Sequence, residues 1–150
     1  MSGAEPYAHL AGRLAAGGHV LPVRIYYEDT DFSGFVYHAS YLRFMERGRS
    51  DFLRLLGVEQ GALFAEAAAE APGLAFVVRS MRIDFLKPAR IDEVVEVRTE
   101  PKEVAGASIT LLQRVVRGDE VLVEAEVQVA CVSGGKAQRI PAALRKAMSA

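Results

Sequence analysis

The residues best suited to chemistry form one run: Tyr27-Glu28-Asp29-Thr30-Asp31-Phe32-Ser33-Gly34-Phe35-Val36-Tyr37-His38. A carboxylate, Asp31, falls in a turn that Gly34 breaks, because glycine permits backbone dihedrals closed to other residues. Just beyond it an amphipathic pattern begins. The residues around Val36 to Ala39 therefore open a helix whose first N–H groups lack intrahelical acceptors. Those N–H groups and the helix dipole favour negative charge. An acyl carbonyl bound there would be polarised and its developing oxyanion stabilised. Asp31 could attack that carbonyl or activate a water. His38 adds a group able to exchange a proton near neutral pH. From the residues alone a second reading stays open, since Asp, Ser and Gly in a strand-to-helix turn also serve as caps and Asx-turns.

The elements that must position this turn follow from periodicity. Val23, Ile25 and Tyr27 alternate with Arg24, Tyr26 and Glu28, a half-buried strand. From Ala39 the period changes. Tyr41, Phe44, Met45, Gly48, Phe52, Leu55 and Leu56 share one helical face, and Gly57 suits the stop. Gly48 in the middle of that face costs helix stability and predicts close approach of another backbone. Glu59 to Glu70 reads as a short helix or lid, closed by Pro72-Gly73. Strands are predicted at Leu74–Phe85, Ile91–Glu100, Ser108–Arg117 and Val121–Cys131, with Lys87-Pro88-Ala89 and Gly118-Asp119 as breaks. Pro141 opens a short C-terminal helix. Consecutive strands with short turns imply antiparallel pairing, and one apolar helix on such a sheet is an α+β layer. Its open edge strands predict dimerisation.

Composition narrows the function. The 150 residues, 51% hydrophobic and 25% charged, suit one globular domain, drawn here as 21–150 behind a flexible arm at 1–20. A formal net charge of -1 gives no basic field for nucleic acid. A single cysteine, Cys131, allows no intrachain disulfide and points to a reducing, cytoplasmic setting. No apolar run approaches the roughly 20 residues of a membrane helix, and the N-terminus lacks signal-peptide character. No Cys, His and Asp spacing suits a metal and no glycine pattern suits a phosphate loop. Glu46 lies off the apolar face beside Arg43, and His9 and His19 have no evident partner.

Arg24-Ile25-Tyr26-Tyr27-Glu28-Asp29-Thr30-Asp31, followed by Gly34-Phe35-Val36-Tyr37-His38-Ala39-Ser40-Tyr41-Leu42-Arg43-Phe44-Met45-Glu46, closely resembles the hotdog-fold acyl-CoA thioesterases of the 4-hydroxybenzoyl-CoA thioesterase type. Within them the Tol–Pal-associated bacterial subgroup is nearest. The resemblance continues at Arg79-Ser80-Met81-Arg82-Ile83-Asp84-Phe85-Leu86-Lys87-Pro88-Ala89 and at Arg139-Ile140-Pro141. It implies a long helix wrapped by a five-stranded antiparallel sheet, dimerised through the sheet edge. It implies hydrolysis of acyl thioesters, with Asp31 as nucleophile or general base and the His38 N–H as oxyanion donor. The same resemblance places Gly34, Tyr37 and Tyr41 around the substrate. No cofactor is implied. Ser40, where the subgroup commonly has Asn, and the bulky Phe32 depart from the pattern, so acyl preference does not carry over.

Coenzyme A carries phosphates, so a basic rim is expected. Arg79, Arg82, Lys87, Arg90, Arg114 and Arg117 are candidates, and Arg79, Ser80 and Lys87 lie in the resembling block. The expected partners are acyl-CoA or acyl-carrier-protein substrates, a second or further copies in a homodimer or homotetramer, and phospholipid-synthesis enzymes near the inner membrane. Two alternatives remain: a hotdog enoyl-thioester hydratase or dehydratase, and a non-catalytic module binding acyl carrier or lipid enzymes.

Overall fold

The computed structural model describes Tyr7, residues 12–59 and residues 61–149. In chain order these are β1 (Arg13–Ala15), β2 (Gly18–Arg24), a 3-10 turn (Tyr27–Asp29), α1 (His38–Glu59), α2 (Gly61–Glu70), β3 (Ala75–Phe85), β4 (Val94–Ala105), β5 (Ser108–Arg117), β6 (Glu120–Ser133), β7 (Lys136–Ala137) and α3 (Ala142–Ser149). One antiparallel sheet runs β1-β2-β4-β5-β6-β3, with β7 added on β6. Its five long strands match the expected number, but β2 overlaps the strand drawn at Val23 to Glu28 only at Val23 and Arg24, and β1 and β7 are short additions that bring the total among the described residues to seven. Helix α1 packs on the sheet, and its Tyr41, Phe44, Met45, Phe52 and Leu56 share one buried apolar cluster with Val95, Val97, Val115, Val123 and Val127.

The helix sits close because Gly48 has no side chain. A Cβ there would meet Val97 Cγ1 at 2.9 Å, with Gln113 Nε2 and Thr99 Oγ1 each at 3.3 Å. The close neighbours are side chains of the sheet and not the backbone that the sequence suggested. Gln113 then ties the layers together. Its Nε2 donates to the Met45 carbonyl at 3.0 Å and to Thr99 Oγ1 at 2.8 Å, and its Oε1 accepts from Arg49 at 2.9 Å. A fully buried amide is tolerable only when so satisfied.

Several boundaries differ from expectation: α1 runs through Gly57, which does not take a positive φ, to Glu59, and β4 runs past Glu100 to Ala105. The strand drawn at Val23 to Glu28 ends at Arg24, and Tyr27–Asp29 coils into a 3-10 turn. The cause is Asp29, whose Oδ2 accepts the Tyr26 N–H at 2.8 Å and so competes with sheet pairing. The strand predicted from Ile91 begins at Val94, because Asp92 adopts a positive φ of 74° in the preceding turn. The arm drawn over 1–20 is part of the sheet at its far end, where Arg13–Ala15 pairs with Gly18–Arg24. His19 anchors that hairpin to α1, with Nε2 2.7 Å from Asp51 Oδ2, which also accepts the Gly12 N–H. Residues 1–6 and 8–11 of the arm, His9 among them, lie outside the described residues.

Gln113→Leu leaves the Met45 carbonyl, Thr99 and Arg49 without their buried partner. Stability should fall by about 1–3 kcal/mol, measured as a lower urea midpoint at unchanged m-value. An unshifted midpoint would show that the amide does not hold the two layers.

Candidate active site

The Asp31 turn is built by its own backbone. The Gly34 N–H donates to the Asp31 carbonyl at 3.0 Å, and the Asp31 N–H donates to the Phe35 carbonyl at 3.0 Å. Gly34 has a positive φ of 84°, which explains its residue type. Thr30 bridges Val36, and the Tyr37 N–H donates to the Asp29 carbonyl at 2.9 Å. A small hairpin thus folds Asp31 back toward the start of α1 at His38.

Ser33 fixes the carboxylate. Its N–H reaches Asp31 Oδ1 at 2.8 Å and its hydroxyl reaches the same oxygen at 2.5 Å. The Phe35 N–H in turn donates to Ser33 Oγ at 3.2 Å. The Ser33 hydroxyl and N–H hold the Asp31 carboxyl below its ordinary range, with the charge of His38 acting in the same direction. Asp31 is therefore ionised at neutral pH. Both bonds fall on Oδ1, so Oδ2 has no partner among the described residues.

At the helix start the His38 and Ala39 N–H groups have no acceptor among the described residues, as the first turn of a helix requires. The His38 ring lies against Tyr37 at 4.5 Å between centroids and edge-on to Phe85 at 6.1 Å. Val36, His38, Tyr41, Phe85, Leu86, Lys87 and Pro88 line a cleft of about 280 Å³ beside them. Tyr41 is buried, its ring edge-on to Phe44 and tilted against Phe85, and its Oη accepts the Ala89 N–H at 3.1 Å. Burial pushes its hydroxyl above the ordinary value, so it stays neutral. The turn itself is open. Asp31, Gly34, Tyr37 and His38 are exposed, and Phe32 projects fully into solvent.

The structure places Asp31 and Gly34 in one turn, Tyr37 against the His38 ring, and His38 and Tyr41 on one cleft, which Asp31, Gly34 and Tyr37 do not line. Lys87 lies on the cleft wall, but its Nζ is paired with Glu120 at 2.9 Å. Arg79 and Ser80 sit elsewhere in the chain, mid-strand on β3, roughly 15–20 Å before Phe85 at about 3.3 Å per residue. Ser80 Oγ lies 3.1 Å from Gln128 Oε1. Among the described residues no group of three or more His, Cys, Asp and Glu side chains could hold a metal ion.

One feature of the site escaped sequence reasoning. Arg117, expected only as a rim candidate, spans Glu93, Glu120 and the Pro88 carbonyl. Glu120 is three residues away across the β5–β6 turn, but Glu93 and Pro88 are 24 and 29 residues distant and form no local pattern. The partner of His19, Asp51, was likewise invisible.

A family model described as the thioesterase superfamily matches residues 33–127. Asp31 lies just before that span. The acyl-CoA thioesterase YbgC of Haemophilus influenzae is 47% identical over 119 residues, 79% of this chain and 84% of that protein. The acyl-CoA thioester hydrolase YbgC of Escherichia coli O6:H1 is 45% identical over 130 residues, 86% of this chain and 91% of that protein. The crystal structure of a probable thioesterase from Bartonella henselae superposes with a TM-score of 0.69 at 41% identity, covering 84% of this chain and all of that one.

Ser33→Ala removes the largest cause of the lowered Asp31 pKa. The Asp31 carboxyl should titrate at higher pH in the variant, followed by carbon-13 chemical shifts of the side chain. An unchanged midpoint would show that the Ser33 hydroxyl does not hold the carboxylate.

Proposed function

The chain belongs to the thioesterase superfamily, and from that premise we propose that it hydrolyses acyl-CoA thioesters at the Asp31–His38 site. The observation that carries the site is an ionised carboxylate with one uncommitted oxygen, folded back by its own hairpin toward a helix start with free N–H groups. Asp31 Oδ2 attacks the thioester carbonyl, and the His38 N–H stabilises the tetrahedral oxyanion. Collapse expels the thiolate, which takes a proton from water, and leaves a mixed anhydride on Asp31. Water hydrolyses the anhydride to the free acid and restores the carboxylate. The lowered pKa keeps the carboxylate ionised, which direct attack and water activation both require.

The Phe85–Leu86 wall of the cleft and the Tyr37 ring receive the acyl end, while Lys87, Arg79 and Ser80 serve the coenzyme. Arg79 and Ser80 reach the site from a second copy in this reading. Strand β3 supports it: one edge pairs β6, the other is open, and Val77, Val78 and Phe85 are each nearly half exposed. A homodimer joined along β3 follows. No helix among the described residues is long and apolar enough to cross a membrane. A cytoplasmic setting, a carrier-protein substrate, and links to phospholipid-synthesis enzymes and the Tol–Pal envelope complex rest on the resemblance and the lone cysteine.

Thiol release from short, long and aromatic acyl-CoAs tests this reading with wild type and Asp31→Asn, deamidation being excluded by mass. The wild type should turn over at least one ester and the variant should lose about 10²–10⁴-fold in kcat. Full activity in Asp31→Asn would remove the residue from the reaction. Single turnover in heavy-oxygen water should put label into Asp31 itself. Label only in the released acid would place the attack of water on the acyl carbon, of the thioester or of the anhydride, and not on Asp31.

A further inference from the structure

The cleft wall between β3 and β4 is held from two sides. The Leu86 and Lys87 N–H groups both donate to the Leu122 carbonyl, at 2.8 and 3.0 Å, which fixes the first half of the wall to β6. The second half is held by Arg117 at the end of β5. One guanidinium nitrogen lies 3.1 Å from each Glu93 carboxylate oxygen and 3.3 Å from the Pro88 carbonyl, and the other reaches Glu120 at 3.2 Å. Glu93 Oε1 in turn accepts the Arg90 N–H at 2.6 Å. The residues on both sides of Ala89 are therefore tied to one ion pair.

Ala89 is fully buried, and its two backbone groups point at the two halves of the site. Its carbonyl accepts the Val36 N–H at 2.9 Å, just before the helix. Its N–H donates to Tyr41 Oη at 3.1 Å, in the first turn of the helix. Phe35 also bridges Arg90, whose guanidinium lies 4.5 Å from the Phe35 ring centre. The start of α1 is thus registered on either side of His38 against one residue.

We infer that Arg117 is a positioning residue for the hydrolysis: with Glu93 it fixes the two peptide groups flanking Ala89, and through Tyr41 and Val36 these set where the His38 N–H points. The inference rests on the reading that this N–H stabilises the oxyanion. Isolated exposed ion pairs contribute little. This one is different in kind, since the guanidinium is shared among two carboxylates and a carbonyl, and only the planar fork of arginine can span them. A donor displaced by about 1 Å costs about 10²-fold in rate, so a tie that is modest in stability is large in catalysis.

Kinetics of Arg117→Met, Arg117→Lys, Tyr41→Phe and the Arg117→Met/Tyr41→Phe double variant test this, with thiol release from the acyl-CoA that the wild type turns over best. Arg117→Met should lose about 10–100-fold in kcat with KM within about threefold. Arg117→Lys should restore less than half of the loss on a logarithmic scale, because charge without the fork does not span the partners. The double variant should lose little more than the worse single one, since both act through Ala89. Glu93→Gln breaks the same clamp from the other side and carries the same kcat expectation should Arg117→Met fail to fold. A raised KM at unchanged kcat, full rescue by lysine, or multiplying losses would overturn the inference and leave Arg117 a coenzyme contact or an independent group. Asp31→Asn separates the two levels. If it keeps full activity, the underlying site reading fails. If it collapses while Arg117→Met and Glu93→Gln keep wild-type kcat, only the positioning role fails.

Discussion

The contact on which the rest of the molecule depends is the flush packing of α1 on the sheet at Gly48. Any side chain there would push the helix off Val97, Thr99 and Gln113. With the helix down, the Gln113 amide reaches the Met45 carbonyl and Thr99 together and leaves its oxygen for Arg49. Those bonds have direction, which apolar packing lacks, so they select one axial position of the helix and not a range. A helix fixed in mid-span has a fixed end. The N–H groups at His38 therefore have one address, beside the wall formed by Leu86 to Arg90.

The end of the helix and the carboxylate are then brought together by local means. The hairpin from Thr30 to Val36 is closed by backbone bonds, and Ser33 alone aligns the carboxylate. Only Val36, at the end of the hairpin, joins the hydrophobic core, and the tip stands in solvent with Phe32 fully exposed. The core decides where the helix begins, and the turn decides where the charge sits. Ala89 is where the two meet, since its two backbone groups touch both the strand after the turn and the first helical turn.

Much of this was legible in the sequence because it is periodic or local. The apolar face from Tyr41 to Leu56 appears as α1, and the alternation from Val121 to Cys131 appears as β6. The Asp31–Gly34 turn showed itself through residue types that only certain dihedrals admit. The errors lie where local turn geometry overrode the alternating pattern. Asp29 turned an apparent strand at Tyr26 and Tyr27 into a 3-10 turn, and Asp92 delayed β4. His19 looked like part of an arm because Asp51 is distant in sequence. Basic residues were legible as charge and not as geometry. Lys87 and Arg117 looked like open sites for phosphate, yet both are engaged by Glu120, with Arg117 also holding Glu93.

Exposure sets how strongly these groups can act. Two unit charges 4 Å apart interact by about 1 kcal/mol in water and about 4 kcal/mol at an effective dielectric of about 20. The Asp31 turn lies near the first limit, with the carboxylate and the His38 ring both open to solvent. A single N–H donor in water adds little to a transition state, whereas a donor in an excluded site contributes about 2.7–4 kcal/mol. The difference must come from whatever covers the turn. Tyr26, Tyr27, Phe32, Tyr37, Phe85 and Leu86 are all exposed around it, an apolar rim with no cover from the described residues. An acyl chain laid on Phe85 and Leu86 covers one side only. The edge of β3 that has no strand partner among the described residues runs into the same wall at Phe85, so the proposed second copy would close the other side with low-dielectric surface. In that reading assembly and catalysis become one requirement, because the unpaired edge lies beside the exposed turn.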